Sequence, residues 1–89
     1  MTDEELAEIE DRCGSARNGP WKSFVEGRDH TSGCSFIKVG EGENRSDDIE
    51  LTGATIADLD FIASARQDVP ALVDEIRRLR KLLSAGSES

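Results

Sequence analysis

The stretch that most constrains this chain is 58–83, DLDFIASARQDVPALVDEIRRLRKLL, a long run of regularly spaced apolar side chains with a proline near its centre. In its second half, Val69, Leu72, Val73, Ile76, Leu79, Leu82 and Leu83 recur at spacings of three and four, which places them on one face of a helix. Arg77, Arg78, Arg80 and Lys81 fill the opposite face and the last turns, where the macrodipole favours cations. Asp68 reads as an N-cap, with Pro70 in the first turn, where a missing N–H costs nothing. The first half has its own start signal in Thr55, followed by Leu59, Ile62 and Ala63 with Phe61 and Ala65 beside them. Pro70 disfavours the helical conformation at Val69. The sequence therefore predicts two helices, with Arg66 closing the first and Asp68 opening the second.

A chain of 89 residues makes one domain, and a domain that small buries only roughly 60 to 65% of the surface its unfolded chain exposes. With three Phe, one Trp and no Tyr, the aromatic share of the core is thin. That favours burial of Leu72, Ile76, Leu79 and Leu83 against a second copy, in a homodimer or higher homo-oligomer. The formal charge of −8 argues against nucleic-acid binding, which needs a basic surface to neutralise phosphates. The basic cluster 77–81 reads as a solvated helix face. Cys13 and Cys34 have neither CxxC spacing nor a secreted-type framework, so they read as reduced thiols. No apolar run approaches the ~20 residues that span a bilayer, and the expected location is the cytoplasm.

Taken in order, Thr2 to Glu5 is a capping box ahead of Leu6, Ile9 and Cys13 at helical spacing, and Gly14 with Asn18-Gly19-Pro20 ends this short helix. From Trp21 the pattern changes to alternation, giving candidate strands at 21–26, 34–39 and 49–52. Polar loops at 27–33 and 40–48 separate them. The expected fold is α+β: a short N-terminal helix, a small antiparallel three-stranded sheet and two C-terminal helices packed on one face, over residues 1–83. The stretch 84–89 lacks apolar anchors and reads as a disordered tail.

Candidate chemistry gathers at the 28–32 loop, where Arg28 could hold a phosphate, His30 could donate to it or carry a proton, and Thr31 or Ser32 could meet hydroxyl or phosphate oxygens. The competing reading is a polar hairpin loop whose side chains cap one another. Trp21 and Phe36 could stack on a planar ligand, Arg66 sits at the helix junction, and Asp58 and Asp60 could accept hydrogen bonds from ribose or a base edge. Equally, Trp21 and Phe36 could be core, and Arg66 a structural ion-pair partner. Adjacent residues do not supply the geometry of a hydrolase triad or a Cys34–His30 pair, and Cys13, His30 and Cys34 lack a fourth soft ligand for zinc. No P-loop, GxGxxG or HExxH pattern occurs, so neither catalysis nor a cofactor is expected.

Gly19-Pro20-Trp21 after a short acidic helix, followed by Asp60-Phe61-Ile62-Ala63-Ser64-Ala65-Arg66-Gln67-Asp68-Val69-Pro70-Ala71-Leu72 and a basic-leucine helix, resembles short proteins of phages, prophages and bacterial mobile elements. More distantly the plan resembles the Thoeris anti-defence sponge proteins, which sequester cyclic ADP-ribose signals between subunits. The resemblance implies a non-enzymatic oligomeric binder of a cyclic nucleotide or ADP-ribose-type ligand. Trp21 and Phe36 would stack, Arg28 and Arg66 would hold phosphate, and His30, Asp58 and Asp60 would read polar edges. The alternative is a protein-interaction module or inhibitor of a host factor, acting through the acidic surface 41–50.

Overall fold

The computed structural model describes residues 1–31 and 33–87. Its first helix, α1 (Asp3–Ser15), begins on the expected capping box: the Glu5 amide donates to Thr2 Oγ1 at 3.1 Å and the Thr2 amide to Glu5 Oε1 at 2.9 Å. Leu6 is its one fully buried side chain. Two strands follow, β1 (Trp21–Phe24) and β2 (Phe36–Val39), paired antiparallel with Trp21 opposite Val39 and Phe24 opposite Phe36. Alternation sends Trp21, Ser23, Ile37 and Val39 to one face and Lys22, Phe24, Phe36 and Lys38 to the other. The first face meets the helix α2 (Ile56–Ser87), and Val25, Ile37, Leu59 and Ala63 form the central cluster between them. Trp21, Ile49, Ala54 and Ile62 pack around that cluster.

The sheet has two strands, not three. The 49–52 segment reaches β2 at a single antiparallel bridge, where Ile37 and Ile49 exchange both backbone hydrogen bonds at 2.9 Å. Upstream, the Ser46 amide also donates to the Val39 carbonyl at 2.9 Å. Between these contacts the third segment advances from 46 to 49 while β2 retreats only from 39 to 37. The register slips by one residue, so the ladder cannot continue. Beyond Ile49 the chain turns at Thr52-Gly53, with Gly53 at φ 81°.

The second correction concerns the C-terminal half. The expected break at 67–69 is absent, and α2 is one helix of 32 residues with Pro70 inside it. An interior proline costs about 3 kcal/mol through its lost N–H and its clash with the preceding turn. Tertiary contacts on both sides of Pro70 offset that cost. Before it, Leu59 and Ala63 are buried in the central cluster, and after it Val73 is buried where α2 packs with α1. The helix α1 runs antiparallel along the outside of the proline turn: Arg66 Nε donates to the Arg17 carbonyl at 2.9 Å, Arg77 pairs with Glu10, and Arg80 pairs with Asp3. Gln67, which the sequence assigns to the hinge, instead fastens α2 to β1. Its Oε1 accepts from the Trp21 amide at 2.8 Å and its Nε2 donates to the Trp21 carbonyl at 3.1 Å. A break here would release all of these contacts.

The helix continues through Ser84 to Ser87, across most of the stretch that reads as a tail, while Glu88 and Ser89 lie outside the described residues. Among the described residues no helix is long and apolar enough to cross a membrane.

Candidate functional site

Two of the expected ligand readers are bound to each other. Arg28 forms a two-pronged bond to Asp60, Nη1 to Oδ2 and Nη2 to Oδ1, both at 3.0 Å. Its Nε donates to Asp29 Oδ2 at 3.0 Å, and Nη2 also donates to Ser23 Oγ at 3.2 Å. Asp29 in turn accepts from the Val25 amide at 2.9 Å, and the Ser23 hydroxyl donates to Asp60. The Arg28 bond and then the Ser23 hydroxyl pull the Asp60 carboxyl down to about 2. Asp29 is lowered by the Val25 amide first and then by Arg28. This network clasps the hairpin loop and β1 to α2, so Arg28 and Asp60 are structural partners in this arrangement.

The other candidates are dispersed. Asp58 completes a second capping box: the Thr55 amide donates to Asp58 Oδ2 at 3.0 Å and the Asp58 amide to Thr55 Oγ1 at 3.1 Å. Trp21 and Phe36 occupy opposite faces of the two-stranded sheet and cannot sandwich one ligand. Phe36 stacks on Phe24 with ring centroids 5.5 Å apart and planes 7° apart, and the His30 ring lies 5.7 Å from Phe36. Lys22 and Lys38 extend over the Phe24 ring at 5.3 and 5.7 Å. Thr31 is exposed, and Ser32 lies outside the described residues. Cys13 and Cys34 are free thiols, and among the described residues no three His, Cys, Asp or Glu side chains are grouped to hold a metal ion.

The structure does bring Trp21 and Arg66 together, in an open groove of about 510 Å³ between α1 and α2. Ile9 and Cys13 line it from α1, and Phe61, Ile62 and Val69 from α2. Two cations border this apolar lining. Arg66 is held through Nε by the Arg17 carbonyl, and Arg12 has no ion pair or side-chain hydrogen bond among the described residues. The buried Trp21 indole N–H has no acceptor among the described residues. No helix N-terminus stands beside Arg66, because α2 runs unbroken through the expected hinge.

The groove continues into a stripe on α2 facing away from the sheet. Phe61 is 74% exposed, Leu72 60%, Leu79 46% and Leu83 75%. Arg12, Phe61 and Gln67 are the residues that sequence reasoning passes over. Phe61 becomes visible once the helix is drawn through Pro70, because it then leads the outward stripe; Arg12 carries no local signal. In comparisons with known proteins, no family model, no curated protein and no solved structure matches this chain. The functional reading therefore rests on the geometry.

Proposed function

We propose that this protein is a non-enzymatic, cytoplasmic interaction module that works as a homodimer joined through α2. The observation that supports it is the outward stripe. Leucines half to three-quarters exposed at helical spacing along one side of a single helix are costly in a monomer and are what a partner helix buries. The acidic segment with Glu41, Glu43, Asp47, Asp48 and Glu50 lies outside this stripe, in the connection between β2 and α2, and is suited to a basic partner protein. The motif's likeness to phage and mobile-element proteins fits a host factor in that place. Sedimentation velocity from 1 to 200 µM, concentrations chosen around about micromolar affinity, tests the reading. The wild type should shift from monomer to dimer, and Leu72→Glu with Leu79→Glu should stay monomeric with an unchanged far-UV spectrum. A wild type that is monomeric throughout the range defeats the proposal.

A second reading is favoured by the α1–α2 groove. Its apolar floor, the unpaired Arg12, Arg66 and the orphaned Trp21 indole suit a planar ligand with an anionic edge, which keeps a nucleotide-derived signal as a candidate. Calorimetry against cyclic di- and trinucleotides, ADP-ribose isomers and NAD tests it. Binding should weaken in Arg12→Ala while the thermal midpoint of the free protein stays in place, and should weaken too in Arg66→Ala, which also gives up the bond to the Arg17 carbonyl. Silence across the whole panel removes this reading.

A further inference from the structure

Drawn as one helix, α2 carries a heptad pattern from residue 65 to 83, which extends the 69–83 run across the expected break to Ala65. Val69, Ile76 and Leu83 fall at one core position of the repeat, and Ala65, Leu72 and Leu79 at the other. The spacings alternate four and three throughout, the period at which two helices keep one seam in contact. At 1.5 Å per residue the seam is about 27 Å long. Leu72, Leu79 and Leu83 on it are exposed, while Ala65, Val69 and Ile76 are half-buried, with Ala65 and Val69 at the edge of the α1–α2 groove. The sheet sits on Leu59 and Ala63, and α1 is tied to the flank bearing Arg66, Val73 and Arg80.

We propose that α2 pairs with α2 of a second copy as a parallel, in-register, two-stranded coiled coil over residues 65–83. This rests on the self-association proposed above and fixes its geometry. Residue type sets the strand number: β-branched Val69 and Ile76 at the first core position, with Leu72 and Leu79 at the second, is the combination that favours two strands over three or four. Charge on the flanks selects the parallel form. In the parallel register each Glu75, paired in its own helix with Arg78, lies beside the partner's Arg80, paired there with Asp3, so that the two ion pairs join across the seam once on each side of the two-fold axis, and each Phe61 lies beside the partner's Arg66 as a cation–π contact. In the antiparallel register that best aligns the same core, Ile76 faces the partner's Leu72. Glu75 then lies against the partner's Glu75, and Arg66 against the partner's Arg80. The same residues attract in one arrangement and repel in the other. Since Arg66 and Phe61 also line the α1–α2 groove, the parallel dimer sets the partner's Phe61 at each groove and presents two grooves at the same end of the assembly.

Disulfide trapping reads the geometry directly, in a Cys13→Ser, Cys34→Ser background whose helicity and sedimentation match the wild type. Facing core positions of a parallel dimer bring Cα atoms within the roughly 4.4–6.8 Å that a disulfide spans. Leu79→Cys should therefore cross-link to itself under mild oxidation. An antiparallel dimer would instead cross-link only when Leu79→Cys is mixed with Val69→Cys, and that result overturns the proposal. A dimer that cross-links in neither case also overturns it while leaving self-association standing, whereas a monomeric background protein defeats both. Glu75→Gln gives a second readout of opposite sign in the two arrangements. It should weaken the parallel dimer by about threefold, the size expected for exposed ion pairs, and a tightened dimer refutes the parallel register.

Discussion

Two substitutions at the centre of α2 have opposite signs in a continuous helix and in a broken one, so together they test the least expected feature of this fold. In the continuous helix Pro70 lies in the interior, half-buried beside the α1–α2 groove. Replacing it with Ala restores an N–H for the Arg66 carbonyl and removes the ring's clash with the preceding turn, a gain of about 3 kcal/mol. Against that, the ring's lost methylenes were about half-buried, and at ~0.8 kcal/mol per buried methylene their removal costs about 1 kcal/mol. Pro70→Ala should therefore stabilise the protein by about 2 kcal/mol, which in a domain of this size raises the thermal midpoint on the order of 10 °C. Asp68→Ala should be neutral or stabilising by up to about 0.6 kcal/mol, since Asp is a poor helix-interior residue. If the chain broke at 67–69, both signs would reverse. Asp68→Ala would lose an N-cap worth about 1 kcal/mol. Pro70→Ala would gain nothing in the folded state and would cost about 0.4–1 kcal/mol through the freer unfolded chain. Circular dichroism melts and urea titrations at one fixed protein concentration, which keeps any dimer contribution constant, decide between them. A destabilised Pro70→Ala together with a destabilised Asp68→Ala would refute the continuous helix.

Four further outcomes follow from the packing and the clasp. Ile37 is fully buried in the central cluster and also bridges to Ile49, so Ile37→Ala should lower the urea-derived stability by about 3 kcal/mol; a loss below 1 kcal/mol, measured against that estimate, would mean the cluster is not the core. At Gly40, with φ at 76°, a Cβ would stand 2.0 Å from the Asn44 carbonyl oxygen. Gly40→Ala should therefore cost more than about 3 kcal/mol, and a near-neutral urea midpoint would contradict the 40–46 backbone path. Gln67→Ala strips both side-chain bonds from the Trp21 backbone and should cost about 1–2 kcal/mol by thermal melt, with Gln67→Glu failing to restore the donor to the carbonyl. Asp60 has its carboxyl lowered from 3.8 to about 2, so between these values the unfolded chain binds the proton more readily than the folded one. Its contribution is complete above about pH 4 and is lost as pH falls toward 2. Urea midpoints should fall over that window, and Asp60→Asn should flatten the fall; an unchanged slope would show that the Arg28 clasp does not form in solution.

What the sequence reveals here divides by the range of the forces involved. The Thr2–Glu5 capping box and the helix start at Thr55 are readable because the groups that make them lie within three residues of one another, although Asp58, which completes the second box, reads as a ligand contact. The proline is misread for the converse reason. Local propensity counts its cost in full and does not register that α1, far away in sequence, runs alongside it from Arg66 to Arg80. The third strand fails on a quantity that alternation does not encode, the mismatch of three residues against two between the Ser46 and Ile49 contacts with β2. The candidate site is misjudged through the same kind of blindness. Trp21 and Phe36 would share a face in a hairpin whose register differed by one residue, but with Trp21 opposite Val39 they do not. Arg28 and Asp60 each look like a reader of some polar ligand until the fold makes each the other's ligand. In a chain with 19 acids, five of the eight arginines end up beside carboxylates in this way among the described residues, and Arg17 is held by Ser46 and the Asp47 carbonyl. Arg12 has no such partner among the described residues, and Arg66 donates only to a backbone carbonyl. An arginine left without a carboxylate in so acidic a chain is therefore a stronger pointer to a binding surface than a cluster of mixed polar residues. Both of these arginines border the apolar groove beside Trp21 and Phe61.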